Sequence, residues 1–208
     1  MKPRPVVVAI LLVVMALVCA SCASSAAKSS QPARHRATSP TRTSDATVLR
    51  TFHPYDVTGR LVAPVARHTS GTCWTTSIAA AAPTAFRCQA GNEILDPCFG
   101  HTSTATTLAC AQDPWTPVTV LRVTAPLPPD ASMGASVRPW ALVLADGARC
   151  VALTGTVPMI AGVSLDYSCQ DGTAATVPNP RAHIIDARVG RPGGTVLRTV
   201  RVATIWRG

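Results

Sequence analysis

Six cysteines in the C-terminal three quarters of the chain constrain the fold more than any other sequence feature. They are Cys73, Cys88, Cys98, Cys110, Cys150 and Cys169. In an oxidising compartment, an even number of cysteines at such spacings predicts three disulfides. No pair among the six has the CxxC spacing of zinc sites and no HxxxH pattern lies near them, so the sequence predicts no metal site. Each disulfide is expected to stabilise the domain by about 2 to 4 kcal/mol.

The spacing of the six cysteines favours one pairing but leaves the others open. A turn-rich stretch, 89–97, lies between the second and third cysteines, and a disulfide there would close a loop. The last two cysteines flank one long hairpin, which leaves the first and fourth for each other. The expected pairs are Cys88 with Cys98, Cys150 with Cys169, and Cys73 with Cys110.

The N-terminus carries the pattern of a secretory signal, residues 1–22. Lys2 and Arg4 precede an uncharged apolar run, Val6 to Val18, which ends in the small residues 19–22. A run of this length is short of the roughly 20 residues that a transmembrane helix needs. The sequence therefore predicts export rather than a permanent transmembrane anchor.

The end of this signal resembles the lipobox of bacterial lipoproteins, in which small residues precede an acylated cysteine. Ala20 and Ser21 place Cys22 at the acylation position, although Cys19 stands where such boxes usually carry leucine. Two or three acyl chains such as palmitate would hold the protein on a membrane. The alternative is ordinary cleavage near Ala23, which would leave a soluble secreted protein.

Residues 23–49 form a predicted tether, and residues 50–208 a single predicted domain. The tether is rich in Ser, Thr, Pro and Arg and has almost no large apolar side chains, so it is expected to be disordered. Its positive charge also permits attraction to anionic lipids or wall polymers, but a simple spacer is the favoured interpretation. The domain is long enough to build a real core.

The domain pattern predicts a mainly β fold, an antiparallel sheet or a sandwich or barrel, with one or two short helices. Asp146-Gly147 between two apolar runs is a strong hairpin signal. Helical turns are expected at 75–82 and 92–95. Strands are expected at 118–123, 140–145, 149–153, 162–169, 173–177 and 195–205.

Three strings in the domain, Cys73-Trp74-Thr75-Thr76-Ser77, Ala85-Phe86-Arg87-Cys88 and 91–99, resemble a domain of secreted and membrane-anchored actinobacterial proteins. The similarity continues through Pro139-Trp140-Ala141, the 146–150 hairpin and the Cys169 segment. The resemblance implies sensing or binding at the cell envelope. It carries no settled activity.

Motifs for catalysis are scarce, and no catalytic residue or cofactor is predicted. GxSxG, SxxK and HExxH patterns are absent from residues 50–208. Glu93 and Asp96 are the only acidic pair with a spacing suited to acid and base chemistry. The favoured interpretation is structural, with Asn92 and Asp96 satisfying backbone donors of their own loop and Glu93 pointing to water.

Trp115 is the candidate binding residue. It lies between Pro114 and Pro117, and a tryptophan on a proline-stiffened loop can stack on a sugar or a partner surface. Trp74 and Trp140 are expected to pack in the core against disulfides.

Two classes of function follow from these patterns. The first is a non-catalytic envelope lipoprotein that binds a cell-wall component or an envelope protein. The second is a hydrolase of envelope glycans or esters, which would need a cleft that holds Glu93 or Asp96 with His101. Nucleic acid is not an expected partner, because the domain has no arginine stripe or aromatic stacking set.

If Cys22 carries lipid, Cys22→Ser should release the protein from the membrane into the medium, because the acyl chains are its anchor. Immunoblots of membrane and medium fractions, with intact mass spectrometry of the mature protein, measure this. A parent protein that begins at Ser24 and carries no acyl mass would contradict the lipoprotein prediction.

Overall fold

The structure, a computed structural model, describes residues 46–129 and 138–208. All of these residues belong to one compact unit. The predicted signal peptide, with Cys22, and the predicted tether as far as residue 45 lie outside the described residues. Within the described ranges, no helix is long and apolar enough to cross a membrane.

The described residues form strands and turns without a helix. The mainly β, disulfide-stabilised fold is therefore confirmed, and the one or two short helices are wrong. The strands are β1 (Val48–Thr51), β2 (Val65–Thr76), β3 (Ala85–Ala90), β4 (Glu93–Phe99), β5 (Thr107–Cys110), β6 (Val118–Val123), β7 (Ala141–Leu144), β8 (Arg149–Ala152), β9 (Met159–Ile160), β10 (Val163–Ser164), β11 (Tyr167–Cys169), β12 (Ala174–Thr176), β13 (Asp186–Gly190) and β14 (Arg198–Arg207).

Strands β2 to β6 form a closed barrel, which we call the first barrel. Consecutive strands pair in antiparallel fashion, and β6 closes the ring by pairing in parallel with the first part of β2. Strand β2 changes partner after Gly71, from β6 to β3. A Cβ atom on Gly71 would lie 2.0 Å from the Gln89 carbonyl oxygen, so only glycine permits this close approach.

The second sheet has the strand order β1-β14-β13-β12-β11-β8-β7, and β14 also pairs with β7. The first part of β14 pairs with β13, and its last part lies between β1 and β7. The long strand β14 therefore connects the two ends of this strand order. β1 is parallel to β14, and the other pairs in the sheet are antiparallel.

Most strands that local patterns predict are present. β7 and β8 form the predicted hairpin around Asp146-Gly147, and Gly147 adopts a φ of 89° that favours glycine. β6 has the predicted bounds, and β14 begins and ends slightly later than predicted. The single strand predicted at 162–169 is divided into β10 and β11.

The disulfides are Cys73–Cys88, Cys98–Cys110 and Cys150–Cys169. Each one joins two residues that lie directly opposite each other on adjacent antiparallel strands. The predicted Cys150–Cys169 pair is confirmed, and the predicted Cys88–Cys98 and Cys73–Cys110 pairs are wrong.

The structure explains why Cys88 does not pair with Cys98 as predicted. The stretch 89–97 is not an open loop, because the chain turns at Gly91 and returns as β4. This hairpin also replaces the helical turn that the sequence predicts at 92–95. In its register Leu95, not Cys98, lies opposite Cys88, so each of the two cysteines is bound to a cysteine on its other neighbouring strand.

The helix predicted at 75–82 is also wrong. Its first two residues extend β2, and Ser77 then ends the strand. The Ser77 hydroxyl oxygen accepts hydrogen bonds from the N–H groups of Ala79 (3.1 Å) and Ala80 (2.9 Å). These bonds satisfy two backbone donors of the segment that follows β2, which continues as bends and a turn to Thr84 without a helix.

An aromatic core joins the first barrel to the second sheet. Trp140, only 1% exposed, lies 5.2 Å from Phe52 and 5.8 Å from Phe99 between ring centroids. The burial predicted for Trp140 is confirmed, but its core cluster contains the Phe52 and Phe99 rings and no disulfide. The burial predicted for Trp74 is wrong, since it is 48% exposed: it lies at a β-bulge between Cys73 and Thr75, where it has no partner on β3.

Peptide mapping under non-reducing conditions should recover the three cross-strand disulfides, because each pair lies opposite in register. No free thiol should react with a thiol-specific reagent in the oxidised domain. A peptide that links Cys88 to Cys98 would contradict the register of the first barrel.

Candidate functional site

Asp96 is a buried carboxylate that anchors the loop between β2 and β3. It accepts a hydrogen bond from the Ser77 hydroxyl and one from the Ile78 N–H at 3.4 Å. The Arg87 guanidinium lies 3.8 Å from the carboxylate, whose side chain is 1% exposed. Burial raises the pKa of Asp96 above its usual range, and this effect exceeds the opposing effects of Ser77, Ile78 and Arg87.

Asp96 therefore has the structural role that the sequence predicts, but with different partners. The predicted donors belong to its own loop, whereas Ser77 and Ile78 follow the end of β2. Arg87 extends the network to the loop that follows β8 of the second sheet, because its two terminal nitrogens donate to the Thr154 carbonyl oxygen at 3.3 and 3.4 Å.

Glu93 lines a pocket of about 290 Å³ together with Asp96. Glu93 forms an ion pair with Arg67 of β2, rather than pointing only to water as predicted. The Arg67 Nε group also donates to the Thr119 hydroxyl at 3.3 Å. The Asp96 carboxylate is turned towards Ser77 and its side chain is almost fully buried, so the pocket does not present two usable carboxylates.

His101 lies in a different pocket, of about 430 Å³, with Phe52 and Tyr55. The loop at Gly59 packs closely against its ring, since a Cβ atom there would lie 2.5 Å from His101 Cδ2. The structure therefore does not bring His101 together with Glu93. The hydrolase arrangement that the sequence suggested is not assembled in the described residues.

Trp115 lies on a short, well-anchored loop between β5 and β6. The Asp113 carboxylate accepts hydrogen bonds from the N–H groups of Trp115 and Thr116, both at 2.8 Å. Flanking prolines restrict the same loop, as the sequence indicates. The Trp115 side chain is half-buried and is held in place before any ligand arrives.

Trp115 belongs to a group of four side chains, Arg50, Trp115, Arg149 and Trp206, which we call the tryptophan–arginine cluster. The two indole rings meet edge to face, with centroids 6.4 Å apart and planes at 86°. The Arg149 guanidinium lies 5.3 Å from the Trp115 ring centroid. The Arg50 guanidinium lies 5.5 Å from the Trp206 ring centroid. The rings thus hold two guanidinium groups in defined positions.

The two arginines of the cluster remain available for a ligand. Both Arg50 and Arg149 are exposed, and neither forms an ion pair with a carboxylate of the described residues. A stacked guanidinium retains N–H donors at its edge, where it can bind a carboxylate, a phosphate or a carbonyl group. The cluster can therefore combine apolar contact with directed hydrogen bonds.

Sequence reasoning found Trp115 but missed its three partners. Trp206 and Arg50 lie opposite each other on β14 and β1, a parallel pairing of the two ends of the domain that no local pattern indicates. Arg149 enters from β8 of the second sheet. A weak signal was present in the alternation of β8, where Arg149 precedes the buried Cys150 and must face outward.

Comparison with known proteins does not assign this chain to a family. No family model, curated protein or solved structure matches this chain. The resemblance to an actinobacterial envelope domain therefore stays a prediction. Within residues 46–129 and 138–208, no group of three or more metal-ligating side chains comes together.

Asp96→Ala should lower the free energy of unfolding by about 2 kcal/mol, because it leaves the Ser77 hydroxyl and the Arg87 guanidinium without their buried acceptor. Glu93→Gln is the control: its ion pair is exposed, and the change should be within about 0.5 kcal/mol. Chemical denaturation of the oxidised proteins measures both. Equal stability of Asp96→Ala and the parent would contradict the anchoring role.

Proposed function

We propose that this protein is an exported envelope lipoprotein, anchored through Cys22, whose domain binds an envelope component without catalysing a reaction. The N-terminal sequence pattern supports export and acylation. The three disulfides are compatible with an extracytoplasmic location, where such bonds persist. The ligand is a cell-wall component or another envelope protein.

The tryptophan–arginine cluster is the observation that carries this proposal. Tryptophan and arginine, like tyrosine, are enriched at the energetic centre of binding surfaces. Here four of them lie together, and the Asp113 bonds and the ring contacts order the cluster in advance. An ordered surface loses little side-chain entropy when it binds.

The arrangement of the acidic residues also supports binding over hydrolysis. Glu93 is paired with Arg67, and the Asp96 carboxylate is occupied by the loop that it anchors. All six cysteines of the domain are in disulfides, so none supplies a thiolate nucleophile.

Trp115→Ala should weaken binding to the envelope at least about tenfold, because it removes a central aromatic contact and the platform for Arg149. Purified envelope is sedimented with the Cys22→Ser chain, so that acylation does not itself retain the protein. The bound fraction over a range of envelope concentrations gives the affinity.

Trp74→Ala is the matched control for this experiment. Trp74 is also partly exposed and also has a guanidinium nearby, that of Arg87 at 5.8 Å from its ring centroid, but it lies outside the cluster. Its loss should leave envelope binding unchanged. Equal affinities of Trp115→Ala and the parent would contradict the proposed binding surface.

A further inference from the structure

The outer face of the first barrel carries a second feature, a groove of about 720 Å³ where β2, β6 and β5 lie side by side. Arg122 of β6 lies directly opposite Ser70 of β2 and directly opposite Thr107 of β5. Because neighbouring strands are about 4.8 Å apart, a hydroxyl group flanks the arginine on each side. We call this feature the Arg122 groove.

The charge of the Arg122 groove is positive and uncompensated. Arg122 is exposed, and its side chain forms no hydrogen bond or ion pair with the described residues. His68, Thr69 and Thr106 also line the groove, and none of its described lining residues is acidic. An anionic group that enters this groove meets a free guanidinium and no repelling carboxylate.

The other lining groups suit a ligand with many hydroxyls. Serine and threonine hydroxyls donate and accept hydrogen bonds, as sugar hydroxyls do. The guanidinium of arginine matches the planar oxygen pairs of a carboxylate or phosphate. The groove volume lies within the range of small-molecule sites, about 300 to 1,000 Å³, and exceeds what an isolated phosphate ion would fill.

We infer that the Arg122 groove binds an anionic saccharide, a sugar that carries a carboxylate or phosphate group. Arg122 binds the anionic group, and Ser70 and Thr107 form hydrogen bonds with the ring hydroxyls. This site goes beyond the proposed function, because none of its lining residues belongs to the tryptophan–arginine cluster. Failure of the Arg122 groove to bind a sugar would therefore not contradict binding at the tryptophan–arginine cluster, and the reverse also holds.

The second sheet offers a matched control for Arg122. Arg188 of β13 is exposed and unpaired within the described residues, and it lies between Thr176 and Thr199 on the neighbouring strands. Like Arg122, it has a hydroxyl residue opposite it on each neighbouring strand, although both pairings are antiparallel and the Thr176 hydroxyl donates to Asp166, and it is not part of the groove. Non-specific attraction of anions would affect Arg122 and Arg188 alike.

The test is calorimetric titration of the oxidised full chain carrying Cys22→Ser with glucuronate, glucose 6-phosphate, glucose and inorganic phosphate. The two anionic sugars should bind, and glucose and phosphate alone should bind at least about tenfold more weakly, since each lacks one half of the recognised chemistry. Arg122→Gln should weaken binding of both anionic sugars at least about tenfold, and Arg188→Gln should change it less than about twofold.

Two further variants test the site even if Arg122→Gln does not fold. Ser70→Ala and Thr107→Ala remove only hydroxyl groups and should each weaken sugar binding while thermal melts stay unchanged. Equal losses in Arg122→Gln and Arg188→Gln would overturn the site. Phosphate that binds as tightly as glucose 6-phosphate would overturn the saccharide, and failure of both anionic sugars to bind would overturn the whole inference.

Discussion

The cross-strand disulfides fix the register on which the remaining structure depends. In a sheet, a slip of one residue would turn every side chain to the opposite face. Cys73–Cys88 and Cys98–Cys110 exclude such a slip in the first barrel, and Cys150–Cys169 excludes it in the second sheet. The same pairing directs Cys73 inward and leaves Trp74 exposed at the β-bulge that follows it.

The register matters for the proposed function at the junction between the first barrel and the second sheet. Trp140 joins the two through the Phe52 and Phe99 rings, and Arg87 joins them through the Thr154 carbonyl. The tryptophan–arginine cluster is built across the same junction, with Trp115 from a loop of the first barrel. The proposed binding surface therefore exists only when both parts of the domain are folded.

Local features of the fold could be predicted from the sequence, and long-range ones could not. The hairpin at Asp146-Gly147 and the Cys150–Cys169 disulfide follow from residues that lie close together in the chain. The Cys88 partner depends on the register of three strands, and spacing alone does not supply it. Trp115 could be recognised from its prolines, whereas Trp206 is brought to it only by closure of the sheet.

The central claim is that the tryptophan–arginine cluster binds an envelope ligand and leaves it unchanged. The four tryptophans give four indole N–H signals in a ¹H–¹⁵N spectrum, assigned by single Trp→Phe variants. Titration with solubilised envelope material should shift the signals of Trp115 and Trp206, while Trp74 and buried Trp140 stay in place and the ligand is recovered intact. Shifts confined to Trp74, or cleavage of the ligand by the protein, would contradict the account.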